Sequence, residues 1–93
     1  MATASRIRPS SFSSSLVDVG RHIPEVVKIA VDQQGDIVSV WTVVEEFSRD
    51  VRERVYEGEE QVIHEHPRLK FDFHVVRRGS YPDTYLQSII YSR

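Results

Sequence analysis

Three sets of side chains in this sequence have the types that chemistry needs. Ser39, Asp72 and His74 could supply a nucleophile, a carboxylate and a base. His64, Glu65 and His66, with His74 added, could supply metal ligands. Trp41 and a tyrosine, with Lys70, Arg77 and Arg78, could stack on bases and contact phosphates. Spacing decides among them. Asp72 and His74 are two residues apart on a predicted strand, about 7 Å along it, a poor distance for a base and its orienting carboxylate. Two histidines two apart on a helix point about 200° apart, whereas helical zinc ligands want i,i+4 spacing. Just before Pro67 they suit the negative end of a helix dipole instead. Gly20, Gly35, Gly58 and Gly79 are isolated, so no phosphate-cradling loop is present. The sequence therefore predicts no catalytic, metal or cofactor site, and a non-enzyme is favoured over a small hydrolase-like or metal site around Asp72 and His74.

The elements that must position these residues run from about residue 26 to 78. VVKIAVD and IVSVWTVVE are β-branched runs separated by Gln33, Gln34 and Gly35, which predicts a β-hairpin. Pairing Val27 with Val40 and Ile29 with Val38 collects Val27, Ile29, Val31, Val38, Val40, Thr42 and Val44 on one face. Val26, Lys28, Ala30, Ile37, Ser39, Trp41 and Val43 then lie on the other. Residues 45–66 read as one long helix ended by Pro67, with Phe47, Val51, Val55, Gly58 and Val62 in a stripe for the valine face. Tyr56 and Ile63, with Arg52 and Glu59, fall on the far side of that helix. LKFDFHVVRR alternates strictly, so Leu69, Phe71, Phe73 and Val75 face one way and Lys70, Asp72, His74 and Val76 the other. Entered through the helix, this third strand is expected parallel to the second. A turn at residues 79–83 leads to a last apolar run, YLQSIIYSR, expected as a fourth strand antiparallel to the third. The predicted fold class is α+β: a small sheet of three or four strands with one helix packed on one face.

The first fifteen residues hold six serines and no acid, so residues 1–20 are expected to be a disordered Ser-rich tail and 21–93 a single domain. Arg6 and Arg8 among those serines also have the composition of an organelle transit leader. No cysteine is present, which removes disulfides and thiolate chemistry and fits the cytoplasm. No apolar run reaches the ~20 residues that span a bilayer, so no membrane insertion is expected.

The net charge of −2 divides unevenly. Residues 45–66 carry three arginines against eight acids, a net of −5, and residues 67–93 carry five bases against two acids, a net of +3. Such polarity steers a partner or a second copy, and is weaker than the basic stripe of a dedicated nucleic-acid binder. The expected interaction surface is Trp41 with Lys28, Asp72 and His74 on the sheet face left uncovered, plus Tyr56 and Ile63 on the helix. The favoured function is an accessory or regulatory subunit, antitoxin-like in kind, that binds another protein chain and itself. A weak binder of RNA or single strands through the open sheet face is the alternative.

Overall fold

The computed structural model describes residues 11–80 and 88–93 of the 93-residue chain. In chain order these form α1 (Ser11–His22), β1 (Val26–Gln34), β2 (Ile37–Val44), α2 (Arg49–Glu65), β3 (Lys70–Arg77) and β4 (Ser88–Ser92). The four strands make one mixed sheet in the order β3-β2-β1-β4, in which β2 and β3 are parallel and the other pairs antiparallel. This is the α+β class expected, with a second helix added.

The hairpin β1-β2 turns at Gly35, whose φ of 64° lies where a side chain is disfavoured. Its register differs from the expected one by four residues: Ile29 pairs with Thr42, Val31 with Val40 and Gln33 with Val38. An even shift keeps each side chain beyond residue 28 on its predicted face, which is why burial alone could not tell the two registers apart. A bulge between Val26 and Lys28 exchanges the two first valines. Val26 is fully buried against the helices, while Val27 packs on the opposite face beside Ala30 and Val43.

The long helix is shorter than predicted. It begins after Ser48, whose hydroxyl accepts the Val51 N–H at 3.2 Å, a normal N-cap. Phe47 therefore precedes the helix and leaves the stripe; it is 41% exposed, with the Arg52 guanidinium over its ring. Val51, Val55 and Val62 do form the buried stripe, and His66 closes the helix before Pro67 by donating to the carbonyls of Val62 and Ile63. Each fully buried valine contributes roughly 1.5–3 kcal/mol relative to exposure.

Two further expectations fail. Residues 11–20, expected in a tail, are most of α1, because Phe12, Leu16, Val19 and Ile23 recur at helical spacing and give it an apolar face; Phe12, Leu16 and Ile23 are buried in the core. Residues 1–10 and 81–87 lie outside the described residues, and with them the rest of the expected tail, most of the 79–83 turn and the start of the fourth strand. That strand, β4, pairs with β1 rather than with β3. Alternation assigns faces but not neighbours, so the choice of edge was beyond the pattern.

Both helices lie on the same sheet face, in one apolar cluster that runs from Phe12 to Val62 and includes Ile29, Val38, Val40 and Val44. They approach so closely that a Cβ on Gly58 of α2 would sit 2.9 Å from Val19 of α1. Gly20 of α1 meets the Tyr91 ring of β4 likewise, with a Cβ there 2.8 Å from two ring carbons. Arg54 ties α2 to the loop before β1, donating to Asp50 at 2.8 Å and to Glu25 at 3.1 Å. Its hydrogen bond is the main reason the Glu25 carboxyl lies below its usual range.

Gly20→Ala gains up to about 1 kcal/mol of helix propensity but overpacks Tyr91 by about 1–3 kcal/mol. The expected net is a lower urea midpoint. An unchanged or raised midpoint would mean that α1 does not press on β4.

Candidate functional site

With both helices on one side, among the described residues no element lies over the other side of the sheet. Three cross-strand rows build it: Asp32–Ser39–Asp72, Ala30–Trp41–His74 and Lys28–Val43–Val76. Parallel pairing of β2 with β3 puts Trp41 beside His74, and the rings stack at 5.1 Å between centroids with 16° between planes. The His74 Nε2–H donates to Asp72 Oδ2 at 3.1 Å, an ion pair whenever the imidazole is protonated. Expected too far apart to interact, Asp72 and His74 are in contact, because their side chains lean along the strand and close most of the gap.

Trp41, His74, Ser39 and Lys28 are half-buried and Asp72 is exposed. Beneath them Ala30 and Val43 are buried, with Val27 and Val76 packed alongside. At one end the face falls into a depression of about 590 Å³ between Lys28, Val43, Arg78 and Arg93. The four sheet residues of the predicted surface, Trp41, Lys28, Asp72 and His74, thus share one face. Tyr56 and Ile63 do not join them; they stand on α2, on the other side of the sheet, 52% and 46% exposed.

Chemically the face is a flat plate with a polar rim. Ser39 lies opposite Asp72, not His74, so its hydroxyl is not set directly across from the imidazole as a nucleophile and base require. Of the histidines at the end of α2, His64 is exposed, whereas the His66 ring meets Phe71 edge-on and its Nε2 lies 3.1 Å from the Ser15 hydroxyl of α1, which donates to Glu65 at 2.8 Å. Among the described residues no group of three or more metal-ligating side chains converges.

Sequence reasoning missed Glu59. The far-side group predicted for the long helix included it, but α2 turns it inward to 8% exposure, where one carboxylate oxygen meets no hydrogen-bond donor among the described residues. Burial pushes its pKa up to about 7. The available signal was position: Glu59 lies only about 60° round from the Val62 direction at 100° per residue.

No family model, curated protein or solved structure matches this chain. Its function has to be argued from the geometry.

Because Glu59 is held neutral by the fold, its contribution to stability is fully present below pH 4.5 and is lost as pH rises to about 7. Glu59→Gln removes the titration. The variant should match wild type near pH 4.5 and exceed it at pH 8 by on the order of 1–2 kcal/mol in chemical denaturation. Equal stability of the two proteins at pH 8 would show that Glu59 is not desolvated.

Proposed function

We propose that this protein is a non-enzymatic binding subunit, an accessory or regulatory partner for another protein chain, that engages its partner through the Trp41 face. The observation that carries this reading is the Trp41–His74 plate on a sheet side that neither helix covers. A tryptophan edged by a histidine, a carboxylate and a lysine has the make-up of an interface hot spot, a large apolar anchor ringed by polar groups. The absence of cysteine supports action in a reducing compartment, the cytoplasm, and among the described residues no helix is long and apolar enough to cross a membrane.

The same plate supports a second reading, the stacking of nucleic-acid bases, with Lys28 and Arg78 near enough to contact phosphates. Charge argues against it. Asp32, Ser39 and Asp72 form the next row, Arg78 is already paired with Glu45 at 2.9 Å, and the chain carries −2 overall.

Trp41 is the chain's one tryptophan, so its fluorescence reports directly on this face. The test is affinity capture from native cell extract with wild type, Trp41→Phe and Trp41→Ala. A partner held by the first two and reduced at least tenfold with the third is expected. An identical set of captured proteins for all three abandons the reading, and quenching of Trp41 by single-stranded RNA at low salt, without a protein partner, would replace it with the second.

A further inference from the structure

The sheet ends in two edges of different character. Among the described residues β4 has five and a register shift against β1, features that discourage further pairing. β3 has eight, without proline, bulge or register shift, and among the described residues no strand lies beyond it. Its free backbone groups can be assigned. The N–H groups of Lys70 and Arg78 donate inward, to Asp36 at 2.8 Å and Val44 at 2.7 Å. Successive residues of a strand point their backbone groups to alternate sides, so even-numbered positions serve β2, and the N–H and C=O groups of Phe71, Phe73 and Val75 point outward.

We propose that a second copy of this chain pairs with the edge of β3, antiparallel, about a two-fold axis at Phe73, to make one continuous eight-stranded sheet. This deepens the binding reading above and rests on it, adding the protein itself as a partner. A two-fold axis normal to the sheet keeps both helical layers on one side, which requires the axis to pass through a residue position so that like faces meet.

Overlap and charge together select the position: an axis at Phe71 or Val75 would set Asp72 against Lys70 or Arg78 but leaves only three or five residues of β3 facing their copies. An axis at Asp72 sets Asp72 against its own copy, and an axis at His74 sets His74 against its copy and Lys70 against Arg78. At Phe73 the strands overlap from Lys70 to Val76, Phe71 meets Val75, and Asp72 meets His74 twice, once on each side of the axis. The outward backbone groups fall at Phe71, Phe73 and Val75, so these positions become the hydrogen-bonded pairs. The Asp72–His74 pairs take the intervening positions, where opposed side chains are closest.

The helical layer offers matching apolar surface. Gly58 and Glu65 of α2 face α1 through Val19 and Ser15, and Arg54 faces the loop after α1 through Glu25. Tyr56 and Ile63 lie about 140–160° round from Gly58, on the flank that overhangs β3. Below them Phe71, Phe73 and Val75 are only half-buried although they face the core. A copy paired at this edge would cover all five.

The test uses full-length chains. Sedimentation of wild type at high micromolar concentration should give twice the 10.8 kDa chain mass. His74→Asp sets like charges against each other in its own dimer, as does Asp72→Lys when His74 is protonated, so each alone should raise the dimer dissociation constant at least tenfold. When the two variants are mixed, the native Asp72 of one chain meets the native His74 of the other, and the introduced aspartate meets the introduced lysine. The mixture should therefore recover the doubled mass. Rescue by mixing has no explanation within one chain. In wild type, the amide protons of Phe71, Phe73 and Val75 should gain hydrogen-exchange protection as concentration rises, a readout that needs no variant to fold. A monomeric wild type, or a dimer without rescue and without that protection, overturns β3 pairing. Neither result touches the Trp41 reading, which is tested separately by capture and by Trp41 quenching.

Discussion

Four strands are about 15 Å across from first to last, and two helices side by side need axes roughly 8–10 Å apart. This protein fits both helices on one face by letting them touch where a side chain is missing, Gly58 against Val19. Much of the structure depends on that contact. It lets α1 reach β1 and β4 while α2 covers β2 and β3, and so closes one core around Val26, Ile29, Val38, Val40 and Val44. It also commits both helices to the same side, leaving the Trp41 side without a helix among the described residues.

The two sides carry different energetics as a result. On the helical side, buried valines and isoleucine lose all contact with water and supply most of the apolar stabilisation. On the other, Trp41 partly covers the sheet by lying across His74, and the imidazole is held in turn by Asp72. An exposed pair such as Asp72–His74 contributes little to stability, in the range of about 0–1 kcal/mol. Its arrangement, an aromatic plate with a fixed polar edge, therefore owes little to the stability of the fold.

How much of this was legible in the sequence follows from what each pattern encodes. The hairpin, the valine stripe of α2, the stop at Pro67 and the parallel entry of β3 each have a local cause and were readable. The bulge at Val27 was not, since both Val26 and Val27 are apolar and either could face the core. The first helix was missed because its serines masked a regular spacing of Phe12, Leu16, Val19 and Ile23. The grouping of Trp41, Lys28, Asp72 and His74 on one face came from period-two alternation, which survives any even shift of register. The 3.1 Å contact between Asp72 and His74 did not, because strand rise measures backbone positions and ignores where side chains lean.

Glu59 marks the place where the core is least complete. A carboxylate buried without a partner costs stability, and a chain of this size has little to spare. The cost is limited because the group takes up a proton near neutrality instead of holding a charge. Its location on the flank of α2 over the half-buried side chains of β3 matters more. At the β1 and β4 side, α1 seals the sheet, and from its first turn Phe12 reaches across to meet the Phe71 ring of β3 edge-on at 6.4 Å; at the β3 side, no described element stands beyond α2, and Glu59, Tyr56 and Ile63 share the rim. The asymmetry of the helical layer thus follows the asymmetry of the strand edges. The short, irregular edge lies under the packed helix, and the long, regular edge lies under the open flank.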